Sequence, residues 1–221
     1  VTENLSLVPF VDAYDVQRRT VEMRQNDEGT DTLILLEHPH VVTVGRNATR
    51  SSLTAGPDLL KSKGVDLVET DRGGDITYHG PGQLVGYPIL RLEPDRRDIR
   101  RYVHDIEEVL LRTLDAYSIE ARRHDVHRGV WVGDRKIASV GIRISRWVTS
   151  HGFALNVNTD LSYFSLIVPC GITGCTMTSM ASELDGPVPM DEVKTVVAGM
   201  FCAVFDREPA APQPFREACN E

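Results

Sequence analysis

The sequence predicts an α+β fold: a mixed, mostly antiparallel central sheet packed with helices. Three observations carry this. Short runs of Val, Ile and Leu outnumber the segments with a helical period. Several of those runs meet across turn residues, as hairpins do. One long stretch, Asp95–Tyr117, repeats apolar residues at the 3.6-residue period of a helix.

Taken in order, Leu5–Val11 is mostly apolar and reads as a strand. Tyr14–Gln25 carries Val16 and Val21 among charges, a weakly amphipathic helix. Leu33–Leu36 and Val41–Val44 bracket His38-Pro39 and read as two strands with a bend, because the residue before proline avoids helical backbone. Arg46–Gly64 is polar and reads as loop with one helical turn, and Val65–Glu69 as a strand. Arg72–Gly86, RGGDITYHGPGQLVG, is the most glycine-dense stretch, a loop from which the strand Leu84–Leu90 departs. In Asp95–Tyr117, residues Ile99, Val103, Ile106, Val109, Leu110 and Leu114 share one helix face. Gly129–Val132 and Lys136–Ile144 flank Gly133-Asp134, a β-hairpin. Gly152–Val157 follows as a strand and Val168–Thr178 as a loop. Thr178–Leu184 and Asp191–Phe205 are helical, the second with Asp191 and Glu192 in its first turn, where the helix dipole favours negative charge. Residues 1–207 form a single domain in this reading, and 208–221, EPAAPQPFREACNE, a loose proline-rich tail.

The chain has 221 residues, with Lys+Arg 24 against Asp+Glu 32, a net charge of −8. Hydrophobic residues at 41% and charged residues at 25% exclude a disordered or low-complexity chain. Net acidity argues against a bulk electrostatic grip on nucleic acid or on an anionic membrane. The longest apolar stretches fall well short of the roughly 20 residues that span a bilayer. The first residues lack the basic-then-apolar pattern of a signal peptide. The four cysteines, Cys170, Cys175, Cys202 and Cys219, contain no CxxC pair and all lie in the last quarter. That pattern reads as reduced thiols in a soluble, cytoplasmic protein. No zinc-binding spacing is present, so no metal is expected.

Four segments hold more glycine, histidine or reactive side chains than folding asks for. Arg72–Gln83 has glycines that let backbone N–H groups wrap a ligand, but it is neither GxxxxGK[ST] nor a GxGxxG opening a helix; the alternative is an ordinary glycine-rich turn. Counting in twos from Lys136 reaches Ala138, Val140, Ile142 and Ile144, which puts the lysine on an apolar strand face. A buried amine favours its neutral, proton-accepting form; a lysine snorkelling at a strand end is the plainer reading. Cys170 sits between Pro169 and Gly171 on a tight turn, where a thiol is either an exposed nucleophile or a small buried hydrophobe. Cys175, after Gly174, is the rival nucleophile; Cys202 reads as core and Cys219 as incidental. His151-Gly152 opens the half-buried strand HGFALNVN, lining a pocket or capping a turn.

Together these segments closely resemble the octanoyltransferases of lipoate biosynthesis, also called lipoyl(octanoyl) transferases or lipoate-protein ligase B. The resemblance rests on LEHPHVVTVGR (Leu36–Arg46), DRGGDITYHGPGQLVGYP (Asp71–Pro88), GVWVGDRKIASVG (Gly129–Gly141), HGFALN (His151–Asn156) and VPCGI (Val168–Ile172) followed by Thr178-Ser179, and spans roughly residues 5–205. Val42, Asp75 and Met180 depart from commoner family residues, which bears on the shape of the acyl pocket only. The resemblance implies a fold similar to the biotin/lipoate ligase catalytic domain. It implies transfer of an octanoyl group from octanoyl–acyl carrier protein to a specific lysine of a lipoyl domain. Acceptors would be lipoyl domains of 2-oxoacid dehydrogenases and the glycine-cleavage H protein. Cys170 is implied as the acyl-thioester nucleophile and Lys136 as its partner. Arg72, Gly73, Gly74, Asp75, Ile76, Thr77, Tyr78 and His79, then Ser139, Val140 and Gly141, then Gly152, Phe153 and Ala154, would line the acyl pocket. No cofactor or ATP is implied, and the family is often monomeric.

Acidic partners would need a local positive patch, for which Arg96, Arg97, Arg100 and Arg101 are the candidates; a solvated helix face interleaved with Asp95 and Asp98 is the alternative. Two rival functions are an ATP-dependent lipoate or biotin ligase, which needs no nucleophilic cysteine, and a non-catalytic acyl-chain or lipoyl-domain binding module.

Overall fold

In the computed structural model, residues 2–49, 52–94, 96–168 and 175–210 are described. Strand β1 (Thr2–Leu7) ends three residues before helix α1 (Phe10–Gln25) begins, so Phe10 and Val11 start the helix and do not extend the strand as the apolar run suggests. Strands β2 (Thr32–Glu37) and β3 (Val41–Val44) follow, then the short helix α2 (Pro57–Ser62) and strand β4 (Asp66–Glu69). The glycine-rich stretch is not all loop: Ile76–His79 forms strand β5, and Gln83–Ile89 forms β6. Helix α3 (Ile99–Asp115) starts later than its period suggests, because the Asp98 side chain accepts hydrogen bonds from the N–H groups of Arg100 and Arg101 and caps it there. Strands β7 (Arg122–Arg123), β8 (Val130–Val132), β9 (Arg135–Ser145) and β10 (Val148–Asn156) come next. A 3₁₀ turn at Leu161–Leu166, strand β11 (Thr176–Met177) and helices α4 (Met180–Glu183) and α5 (Met190–Phe205) complete the elements.

Among the described residues the main sheet runs β1-β2-β6-β10-β9-β8-β7, with β11 added against β9. Its pairings are antiparallel except β1 with β2 and β11 with β9. A smaller sheet runs β4-β3-β5. The unbroken apolar run of β2 reflects burial on both faces. Leu33 and Leu35 pack with Tyr102, Ile106 and Leu110 of α3 and Phe201 of α5. Ile34 and Leu36 pack with Phe10, Ala13 and Val16 of α1. A third cluster, with Val42, Ile76, Tyr78 and Phe164, holds the small sheet against the 3₁₀ turn. No helix among the described residues is long and apolar enough to cross a membrane.

Candidate active site

The site begins with an irregularity in the β8–β9 hairpin. Val132 pairs with Arg135 and Trp131 with Lys136, but Val130 pairs with Ala138, leaving Ile137 as an extra residue on β9. A bulge of this kind reverses the in–out alternation. Lys136 therefore shares the face of Ser139 and Gly141, and not that of Ala138 and Val140 as uninterrupted counting suggests. Lys136 is 2% exposed and its Nζ lies 5.5 Å from the centre of the Trp131 ring. Strand β11 pairs beside it, Met177 with Lys136, and Thr178 N–H donates to the Lys136 carbonyl at 2.9 Å.

Lys136 opens onto a cavity of about 470 Å³. One wall is the sheet: Ser139, Val140 and Gly141 of β9, and Gly152, Phe153 and Ala154 of β10. The opposite wall is the segment Arg72, Gly73, Gly74, Asp75, Ile76 and Thr77, with His79 beyond it. Tyr78, grouped with these in the sequence, turns away because β5 alternates. Its hydroxyl meets His40 Nδ1 at 2.7 Å and its ring stacks on Tyr163 in the third core cluster. Cys170 lies outside the described residues. The cavity is also lined by Phe10, Asn47, Val85, Tyr87, Val126, His127, Arg128, Ile142 and His151, which the motifs of the sequence do not assign to it. Only His151-Gly152 carried a signal, a histidine–glycine pair at a strand entrance; the others are ordinary residues brought in by topology.

Buried polar groups stiffen the walls. The Arg72 guanidinium donates to the Thr43 carbonyl at 2.7 Å and to Thr43 Oγ1 at 3.0 and 3.2 Å, tying the glycine-rich segment to β3. His79 donates Nδ1–H to Gln83 Oε1 at 2.7 Å. Gln83 Nε2 donates to Asn156 Oδ1, Asn156 Nδ2 to the Thr178 carbonyl, and Thr178 N–H to Lys136, each at 2.9 Å. An unbroken hydrogen-bonded chain thus runs from the cavity histidine to the Lys136 backbone. Burial pushes His79 down to about 3 and His38 down to about 4, so both rings are neutral. At His151, Nε2–H donates to Asp71 Oδ1 at 2.8 Å, and Tyr14 and Arg143 also contact that carboxylate. The His151 bond, foremost, holds Asp71 down at about 2. Burial lowers His151.

The other sequence candidates sit elsewhere. Cys175 and Cys202 are both half-buried, so Cys202 is not the core residue its apolar helix suggests; it borders a separate cavity with Leu33, Leu90 and Phe201. Cys219 lies outside the described residues. Of the arginine cluster, Arg96 pairs with Asp105 at 2.8 Å, Arg97 with Glu93 at 3.2 Å and Arg101 with Asp105 at 3.9 Å. Arg96 and Arg101 thus share one carboxylate, and the described residues lining the cavity include none of the four arginines.

The chain matches the family described as "Lipoyl protein ligase A/B catalytic domain" over residues 9–202. It is 50% identical over 204 residues to an octanoyltransferase of Solibacter usitatus, covering 92% of each chain. It is 50% identical to an octanoyltransferase of Rubrobacter xylanophilus, covering 90% of each. An octanoyltransferase of Myxococcus xanthus is 48% identical over 96% of this chain, which spans 61% of that relative's length. The fold is similar to a crystal structure of lipoate-protein ligase A bound with ATP, at a TM-score of 0.77, 17% identity and 99% and 92% coverage of the two chains. It also resembles Ta0514, a putative lipoate protein ligase from T. acidophilum, at a TM-score of 0.74, 16% identity and 99% and 92% coverage. The chain belongs to the lipoyl protein ligase A/B catalytic-domain family, and within it to the octanoyltransferases of lipoate biosynthesis.

Proposed function

We propose that the chain takes an octanoyl group from octanoyl–acyl carrier protein and delivers it to a lysine of a lipoyl domain, through a thioester on Cys170. The Cys170 thiolate attacks the donor thioester, and the carrier's thiol leaves and takes up a proton. The acceptor amine then attacks the Cys170 thioester, losing a proton and returning the thiol. In this reading Lys136 accepts and returns these protons. Neither step consumes a nucleotide, since thioester to thioester to amide runs downhill. The lining residues from Arg72 to Ala154 hold the acyl chain, whose burial contributes about 0.8 kcal/mol per methylene.

One observation supports this reading above the others. A lysine 2% exposed lies at the wall of a cavity lined by glycines and by both apolar and polar side chains, and strand β11, whose Met177 is seven residues beyond Cys170 in the sequence, pairs directly with it. The glycine-rich wall suits close approach of an extended chain.

The test is incubation with octanoyl–acyl carrier protein, without nucleotide, followed by intact mass and peptide mapping. The wild-type protein gains one octanoyl group on Cys170, and Cys170→Ser gains none. An adduct that survives in Cys170→Ser and vanishes in Cys175→Ser reassigns the nucleophile. A chain that binds octanoate in one-to-one ratio with no adduct is a binding module.

A further inference from the structure

Behind Lys136 runs the connection from β7 to β8, and its last residue is Gly129. Gly129 has φ +110°, and a Cβ there would lie 2.8 Å from Lys136 Cε and 2.3 Å from the Ala138 carbonyl oxygen. The backbone at 129 is thus pressed against the methylene stem of the lysine, where only glycine leaves room. The β8 ladder starts at Val130, so the Gly129 N–H is not held by a strand partner. It donates instead to Oε1 of Glu107, at 2.8 Å.

Glu107 belongs to α3, on the face that also carries Val103, Ile106 and Leu110. It is 8% exposed, an uncommon place for a carboxylate. Its other oxygen lies 3.5 Å from Arg123 Nε, and Arg123 already has Glu108 at 2.7 Å as a closer acidic partner. A carboxylate put on a core face carries a desolvation cost that one long ion pair offsets poorly. What Glu107 does that an apolar residue cannot is fix the Gly129 amide.

We propose that Glu107 is a positioning residue for the transfer reaction: it holds Gly129 as a backstop that directs the Lys136 amine into the cavity. The proposal rests on the role of Lys136 in the function proposed above. It assigns Glu107 no contact with substrate.

The test is steady-state octanoyl transfer together with the ¹³Cε resonance of Lys136 in lysine-labelled protein. Glu107→Ala lowers kcat about tenfold or more and leaves the donor KM within about twofold, because orientation and not binding is lost. The Lys136 resonance shifts or broadens in the same variant. Glu107→Gln keeps an acceptor oxygen for Gly129 N–H, and its kcat and resonance stay close to wild type. Gly129→Ala reproduces the kcat loss with Glu107 intact. If Glu107→Ala does not fold, Glu107→Asp, which retains the charge but is one methylene shorter, takes its place with the same expectation. A folded Glu107→Ala or Glu107→Asp with wild-type kcat overturns the proposal, as does a Glu107→Gln as impaired as Glu107→Ala. Cys170 octanoylation of the wild type is scored alongside, so loss of that adduct sinks the reaction proposal and not the positioning one.

Discussion

A histidine enclosed by its own protein changes the acid response of the whole molecule. His79 donates to Gln83, and His38 donates Nδ1–H to the Val8 carbonyl at 2.6 Å while its Nε2 accepts from the Tyr87 hydroxyl at 2.7 Å. Burial holds them at about 3 and about 4, against about 6.5 when the chain is unfolded. Between those values the unfolded chain binds protons that the folded chain refuses, so stability rises with pH through that window. Unfolding free energy should therefore fall as pH drops from 6.5 to 4, by up to about 1.4 kcal/mol per pH unit for each histidine. Asp71 adds to this slope only at its acid end. Its depressed value of about 2 means that its contribution starts to fall as pH nears its unfolded value of 3.8 and is lost as pH falls through the folded one. Urea denaturation at intervals across pH 4 to 7 reads the slope, and His79→Gln should remove its share. A flat wild-type profile would show that the rings titrate normally in the folded state.

At the scale of elements, the amphipathic helix and the β8–β9 hairpin were legible in the residues, and the reasons others were not are physical. The apolar period of α3 is strong enough to survive any reading, and only its start needed the cap. Asp98→Ala removes the acceptor for the Arg100 and Arg101 N–H groups, at 2.8 and 3.0 Å, and should cost about 1 kcal/mol, lowering Tm by roughly 2–4 °C. Transfer kinetics should not change, because that helix end lies away from the cavity. A Tm drop accompanied by a rise in donor KM would instead tie the α3 N-terminus to partner docking. The β9–β10 hairpin is the counter-example. Its two turn residues, Arg146 and Trp147, both have positive φ, 48° and 60°. Such a turn announces itself when it is built from Asn-Gly or Asp-Gly; here bulky residues occupy it and tertiary packing overrides preference, with Arg97 stacked over the Trp147 ring. The bulge at Ile137 is equally silent, and it decides which face Lys136 occupies. The candidate site was legible for a different reason. The glycines of Arg72–Gln83, at 73, 74, 80 and 82, mark backbone demands that a regular strand or helix does not make, whereas Phe10, Val85 and Tyr87 reach the same cavity only through long-range pairing.

For the molecule as a whole, the cavity lies between two sheets, and the segment 72–75 is hydrogen-bonded to both. On the small-sheet side, Gly45 N–H donates to the Asp75 carbonyl at 3.0 Å and Asn47 N–H to that of Gly74 at 3.0 Å. On the main-sheet side, Gly73 N–H donates to the Ile142 carbonyl at 2.9 Å. The segment 72–75 is therefore at once the cavity wall and the strap between sheets. Its approach to β3 is so close that a Cβ on Gly45 would lie 2.5 Å from the Gly74 oxygen, 2.7 Å from the Asp75 oxygen and 2.8 Å from an Arg72 nitrogen. Two of those neighbours are backbone atoms that cannot swing aside. Gly45→Ala must push the strap towards the cavity or part it from β3, and either strains the Arg72–Thr43 contacts. Overpacking of this kind costs about 1–3 kcal/mol. Because the displaced segment is the cavity wall proposed to hold the acyl chain, the loss of stability should come with a several-fold higher KM for the octanoyl donor. A core substitution on the α3 side, Ile106→Ala, should cost about 2–5 kcal/mol and leave that KM unchanged. Denaturation curves and donor titrations on the two variants separate the cases. Equal KM values for wild type and Gly45→Ala, at a confirmed loss of stability, would mean that the wall and the strap are mechanically independent.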